Sequence, residues 1–132
     1  MATDDIPFAD TLAAMRDEYL DMAEGLVRDA RSAWNTLRPN TLRSELSDFP
    51  PVVALDVLRT PVHRLAGSAG TFGFPALSET ANAIEALIVA ARRNEGTSIC
   101  DPAWIAAMDA ALHALETAAS KTRMDMAIRT TP

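Results

Sequence analysis

The sequence predicts an all-α protein, an antiparallel up-down bundle of four helices. Three observations lead there. Apolar residues recur at three- and four-residue steps through four stretches. Prolines and glycines punctuate the gaps between them. Nowhere do apolar and polar residues alternate as in a half-buried strand. Helices with one apolar face, most of them joined by short links, bury those faces only against each other. A chain of 132 residues suits one domain, 1–132, with a bundle core over about 10–122 and a frayed tail over about 123–132.

The first helix is expected from about Asp10, as N-cap, to Leu37, with Pro39 beyond it. Its stripe reads Leu12, Met15, Tyr19, Met22, Leu26, Ala30 and Leu37. Residues 38–51 hold three prolines and read as a connection, with room for a helical turn near Ser44–Asp48. The second helix spans roughly Val52–Phe72, with Leu58, Val62, Leu65, Ala69 and Phe72 as its stripe. Pro61 leaves two readings open there. It kinks one long helix, or it is the first helical residue after a Thr60 cap. The third helix begins near Pro75 and buries Leu77, Ala81, Ile84, Ile88 and Ala91. It ends on Arg92 and Arg93, which suit the dipole, with Gly96 as C-cap. The fourth opens on Asp101 and Pro102, an N-cap and first-turn pair. It buries Ile105, Met108, Leu112, Leu115 and Ala119.

Composition excludes several classes. Eighteen acidic against twelve basic residues leave a formal net charge of −6, which argues against a general nucleic-acid binder. No apolar run reaches the roughly 18 residues of a membrane span, and the start MATDDIPFAD has no secretory h-region. A lone cysteine, Cys100, offers no internal disulfide and no multi-cysteine metal site. A soluble cytoplasmic protein is the expectation.

The chemistry concentrates on the second and third helices. At about 100° per residue, His63 lies off the buried stripe beside Val62, at the core edge with part of its ring in water. Ala66, Gly67 and Gly70 fall within about 60° of it by the same rotation. Glycine inside a helix costs about 1 kcal/mol relative to alanine. Two of them beside an exposed histidine leave a bare face on which another protein can bring a reactive group to the imidazole. If the helices turn back near Phe74, Glu85 lies level with His63. Its carboxylate would fix one ring nitrogen and leave the other as nucleophile.

The run His63-Arg-Leu-Ala-Gly-Ser-Ala-Gly-Thr-Phe-Gly-Phe74, with Leu77, Glu79 and Glu85 after it, resembles the histidine-phosphotransfer domain family. The Ala69–Phe74 part is similar to the N-terminal domain of chemotaxis histidine kinases. His63, Gly67, Gly73 and Leu77 carry the family spacing. The resemblance implies a phosphorelay carrier. His63 would accept a phosphoryl group from a receiver aspartate or a kinase and pass it to a receiver aspartate, with Glu85 orienting the imidazole. Docking is then expected around Arg64, Ala66, Gly67, Ser68, Gly70 and Asn82. Response-regulator receivers and a sensor or hybrid histidine kinase are the implied partners, with neither nucleic acid nor membrane. No cofactor or metal of its own is expected, because the magnesium belongs to the receiver. With no nucleotide motif, the chain has no autonomous kinase activity, so it would serve as a phosphotransfer intermediate.

Two positions depart from the family. Ala66 stands where a lysine is usual, and Asn82 where the chemotaxis subgroup has another histidine. Arg64 is a candidate replacement cation, although it sits about 100° around the helix from His63. Other features read as structural. His113 with Glu116 has a one-turn metal-ligand spacing but no second pair, and the Gly67–Gly70–Gly73 spacing lacks the preceding strand of a phosphate loop. Trp34 and Trp104 read as core or core-edge aromatics, and Cys100 as inert. The competing functions are a kinase-derived module with the same chemistry and a structural or regulatory bundle that binds receivers without carrying phosphate.

Overall fold

The structure is a computed structural model and describes residues 5–38, 55–93 and 101–130. Four helices account for these segments: α1 (Asp5–Leu37), α2 (Asp56–Ser68), α3 (Pro75–Arg93) and α4 (Pro102–Thr130). Each packs against its neighbours in chain order and α1 closes on α4, giving the antiparallel up-down bundle. No strand occurs among the described residues. None of these helices is long and apolar enough to cross a membrane. Cys100, Gly96, Pro39 and the turn expected at Ser44–Asp48 lie outside the described residues.

The stripes of α2 and α3 are buried as their spacing requires. Leu58, Val62, Leu65, Ala69, Leu77, Ala81, Ile84 and Ile88 have no exposed surface. Phe72 is half-buried and stacks on Tyr19 of α1, with ring centroids 4.3 Å apart. In α4, Met108, Leu112 and Leu115 are likewise fully buried, and Ile105 is half-buried. Trp34 and Trp104 meet edge to face in the core. Their indole N–H groups donate to Asp109 Oδ1 (2.7 Å) and Leu87 O (3.0 Å), so neither polar atom is stranded.

The α1 stripe is corrected. Leu12, Met15 and Met22 are 43–48% exposed, whereas Tyr19, Leu26 and Ala30 are buried as expected, and the buried row extends through Leu20, Ala23, Val27 and Trp34. The true stripe is rotated by roughly 40° from the expected one, because α1 is rich enough in apolar residues to offer two overlapping rows. Asp10 is no cap, since α1 starts at Asp5. Pro61 resolves in favour of an interior position: α2 begins five residues before it. The Thr60 hydroxyl donates to Asp56 O (3.0 Å) and does not cap a helix. The carbonyl that loses its donor to Pro61 is that of Val57, an exposed residue, so water can satisfy it. Asp101 does cap α4, accepting from the Ala103 N–H at 2.9 Å.

Fraying beyond Thr122 is also corrected. The helix α4 continues to Thr130, and Arg123 reaches Asp17, Asp21 and Glu24 on α1. Glu24, and after it Asp21, hold the Arg123 pKa well above the ordinary range. Two further pairs, Arg31–Glu116 (2.6 Å) and Arg38–Asp109 (2.8 Å), fasten α1 to α4 along the same seam.

Candidate functional site

The link between α2 and α3 sets the register of the site. After Ser68 the chain makes one more turn. There the Phe74 N–H bonds to Ala69 O (2.8 Å) and the Gly73 N–H to Gly70 O (3.1 Å). This is the paired closure that ends a helix on a left-handed residue, and Gly73 supplies it at φ +85°. Pro75 then starts α3 at once. So short a connection leaves no slack, and the two helices run level with each other.

His63 and Glu85 face each other across that register. The imidazole Nδ1–H donates to both carboxylate oxygens of Glu85, at 3.1 Å each. An ionised carboxylate has no proton to give, so in this bond the proton belongs to Nδ1 and the Nε2 lone pair is free. The His63 side chain is 62% exposed, whereas Glu85 is 21% exposed. Two turns further along both helices, Arg92 and Asp56 form a second rung at 2.9 Å. On the other side of the pair, the Ser78 hydroxyl donates to Ala66 O at 3.0 Å. The histidine thus sits in a ladder of polar contacts that keeps α2 and α3 from sliding.

The small residues beside it are bare for no internal reason. A Cβ added to Gly67 would meet nothing within 4 Å, and one added to Gly70 would make ordinary contact with Ser78 Oγ at 3.8 Å. Neither glycine has positive φ. The open space is outside the molecule. Ala66 is half-buried against the core, and Asn82 is exposed on α3 one turn before Glu85. Arg64 is exposed, about 100° around α2 from His63.

Ser68 is not part of that face. It lies about 140° from His63 and turns to α1. There its hydroxyl pairs with the Tyr19 hydroxyl (2.6 Å) and donates to Arg64 O (2.5 Å). Burial raises the Tyr19 pKa, opposed by the Ser68 bond. Arg59 also belongs to the His63 face of α2. It precedes His63 by four residues, within about 40° on the same face, and that one-turn spacing was the signal available.

No cluster of metal-ligating side chains occurs among the described residues. Both oxygens of Glu116 are engaged by Arg31, which leaves His113 without the companion its spacing had offered.

Comparison with known families matches the chain to the Hpt domain. The model of the Hpt domain covers residues 14–118, most of the chain and all the site residues named above. Comparisons with curated proteins and with solved structures return no match. A four-helix bundle with an exposed histidine on its second helix, and a family match running from α1 into α4, make this chain a member of the Hpt domain family, whose members carry out phosphotransfer in two-component signalling.

Proposed function

We propose that this domain is a phosphorelay carrier: Nε2 of His63 takes a phosphoryl group from a receiver aspartate or a histidine kinase and passes it to a receiver aspartate. The observation that carries the reading is the His63–Glu85 pair on an otherwise bare face. In the accepting step the Nε2 lone pair attacks phosphorus and the N–P bond forms. The P–O bond to the partner's aspartate breaks, and that carboxylate leaves with the electron pair. The ring then carries positive charge with its proton still on Nδ1, which Glu85 stabilises. The reverse step returns the group to another aspartate without any proton leaving the pair.

The bare face is what makes the attack geometrically possible. An aspartyl phosphate sits inside its own domain, so the partner's backbone must come close to the imidazole. Side chains at Gly67 and Gly70 would hold it off. Arg64 and Asn82 flank this face and are assigned to docking. Ala66 forms its floor. The magnesium used in phosphoaspartate chemistry is assigned to the receiver. On this reading the phosphoryl group comes from a partner and not from ATP bound by this domain, and the relay operates in the cytoplasm.

Incubation with a phosphorylated receiver tests this reading. Wild type takes up acid-labile label and His63→Gln takes none. Glu85→Ala labels about tenfold more slowly, since a charge-assisted hydrogen bond of roughly 1.5–3 kcal/mol loses part of its worth to solvent at this exposure. A wild type that binds receivers yet never takes label means a regulatory bundle. An unchanged rate for Glu85→Ala removes its orienting role.

A further inference from the structure

We propose that Arg59 is the subsite for the phosphoryl group itself, holding the anion on Nε2 of phosphorylated His63. This rests on the carrier reading, and three observations support it. Helical side chains lean towards the N-terminus of their helix, so the His63 ring covers the turn that contains Arg59 and Thr60, not the turn of Gly67. Nδ1 is occupied by Glu85, so the phosphoryl group is on the other nitrogen, Nε2. Arg59 stands one turn earlier, about 6 Å along the axis and about 40° around it, within reach of a guanidinium on a flexible stem.

The second observation concerns partners. Arg16, Arg31, Arg38, Arg92 and Arg123 are all committed, to a carbonyl or to carboxylates. Arg59 makes no hydrogen bond or ion pair with any described residue, although it is half-buried. A side chain held part-way into the surface with its donors free is prepared for an incoming anion, and guanidinium matches phosphate oxygens two at a time.

Competing cations are less well placed, which is the third observation. Arg64 is also unpaired among the described residues but points about 100° away, on the α1 side. Arg92 is tied to Asp56. Ala66 has no charge. The charged groups on the His63 face of α2 and on the part of α3 paired with it are Arg59, the Asp56–Arg92 pair and Glu85. Only Arg59 offers free positive charge.

Chemical phosphorylation separates this inference from the relay reading, because it needs no partner. The full chain is phosphorylated at His63 with phosphoramidate, and the second ionisation of the phosphoryl group is followed by 31P NMR. Arg59→Ala moves its midpoint up by about 0.2 to 0.7 pH units, the range an exposed ion pair supports. Arg59→Lys recovers most of that shift, and Arg64→Ala leaves the midpoint in place. An unmoved midpoint in Arg59→Ala, or the full shift in Arg64→Ala, overturns the assignment. A phosphorylated wild type that passes nothing to any receiver, with the Arg59 shift intact, removes the carrier reading and keeps the subsite. A wild type that takes no label from phosphoramidate overturns both.

Discussion

Gly67 separates what the fold needs from what a partner needs. It lies on α2 with ordinary negative φ, and a Cβ there would meet nothing within 4 Å. Alanine in place of glycine within a helix gains about 1 kcal/mol, through lower backbone entropy in the unfolded chain and better burial of the helix backbone. Gly67 is the next-to-last residue of regular α2, so about 0.5–1 kcal/mol is the fairer figure. For a chain of this size that raises Tm by roughly 2–4 °C. Gly67→Ala is therefore expected to be more stable than wild type in a thermal melt, and Gly67→Leu to fold with near-normal helicity. Phosphotransfer from a receiver should show the opposite order. Gly67→Ala stays close to wild type, and Gly67→Leu loses at least tenfold in kcat/KM, mainly through KM, because the side chain stands where the partner's backbone must approach. If Gly67→Ala melts lower, the glycine is serving the fold. If Gly67→Leu transfers at the wild-type rate, docking does not use this face.

Two further expectations concern stability alone. Gly73→Ala should cost about 1–2 kcal/mol in urea unfolding, because its φ of +85° is left-handed; a variant as stable as wild type would mean the turn re-forms without that conformation. Asp109 gives a pH signature. The Arg38 hydrogen bond, helped by the Trp34 N–H and the field of Arg31, lowers its pKa from the ordinary 3.8. A lowered pKa contributes stability that is present above the ordinary value and disappears as pH falls through the folded value. Wild type should therefore lose more stability between pH 6 and pH 3 than Asp109→Asn does, and identical acid limbs would refute the role of the pair.

The legible parts of the fold were those fixed over short distances. Pro75 and the Asp101–Pro102 pair set helix starts by local chemistry, and the helices begin there. The level placement of His63 and Glu85 followed from one tight turn, because a link closed at Gly73 leaves the register of α2 and α3 no freedom. What was not legible depended on distant packing. Met15 and Met22 look as apolar as Leu20 and Val27, and only the positions of α2 and α4 decide which row is covered. Arg123 could not be assigned to Asp17, Asp21 and Glu24 because those partners lie about a hundred residues away. The frayed tail was the wrong default for that reason. The direction of the Ser68 hydroxyl, towards Tyr19 on α1, likewise depends on a neighbour 49 residues away.

The arrangement divides labour between the two sides of the bundle. The α1–α4 seam carries three sets of ion pairs and the Trp34–Asp109 bond, which spend its charged groups on holding the two helices together. At the α2–α3 face His63 is largely exposed and Glu85 partly so, no polar or charged residue is buried among the described residues, and two residues have no side chain at all. Removing His63 or Glu85 therefore opens no cavity and strands no buried charge, the two routes by which single substitutions most severely destabilise a fold. Loss of transfer in such a variant, with an unchanged melt, would report chemistry directly. The same separation explains why a helix can retain an unfavourable glycine: the core under it, from Leu58 to Leu65, holds α2 in place whatever the outer face gives up.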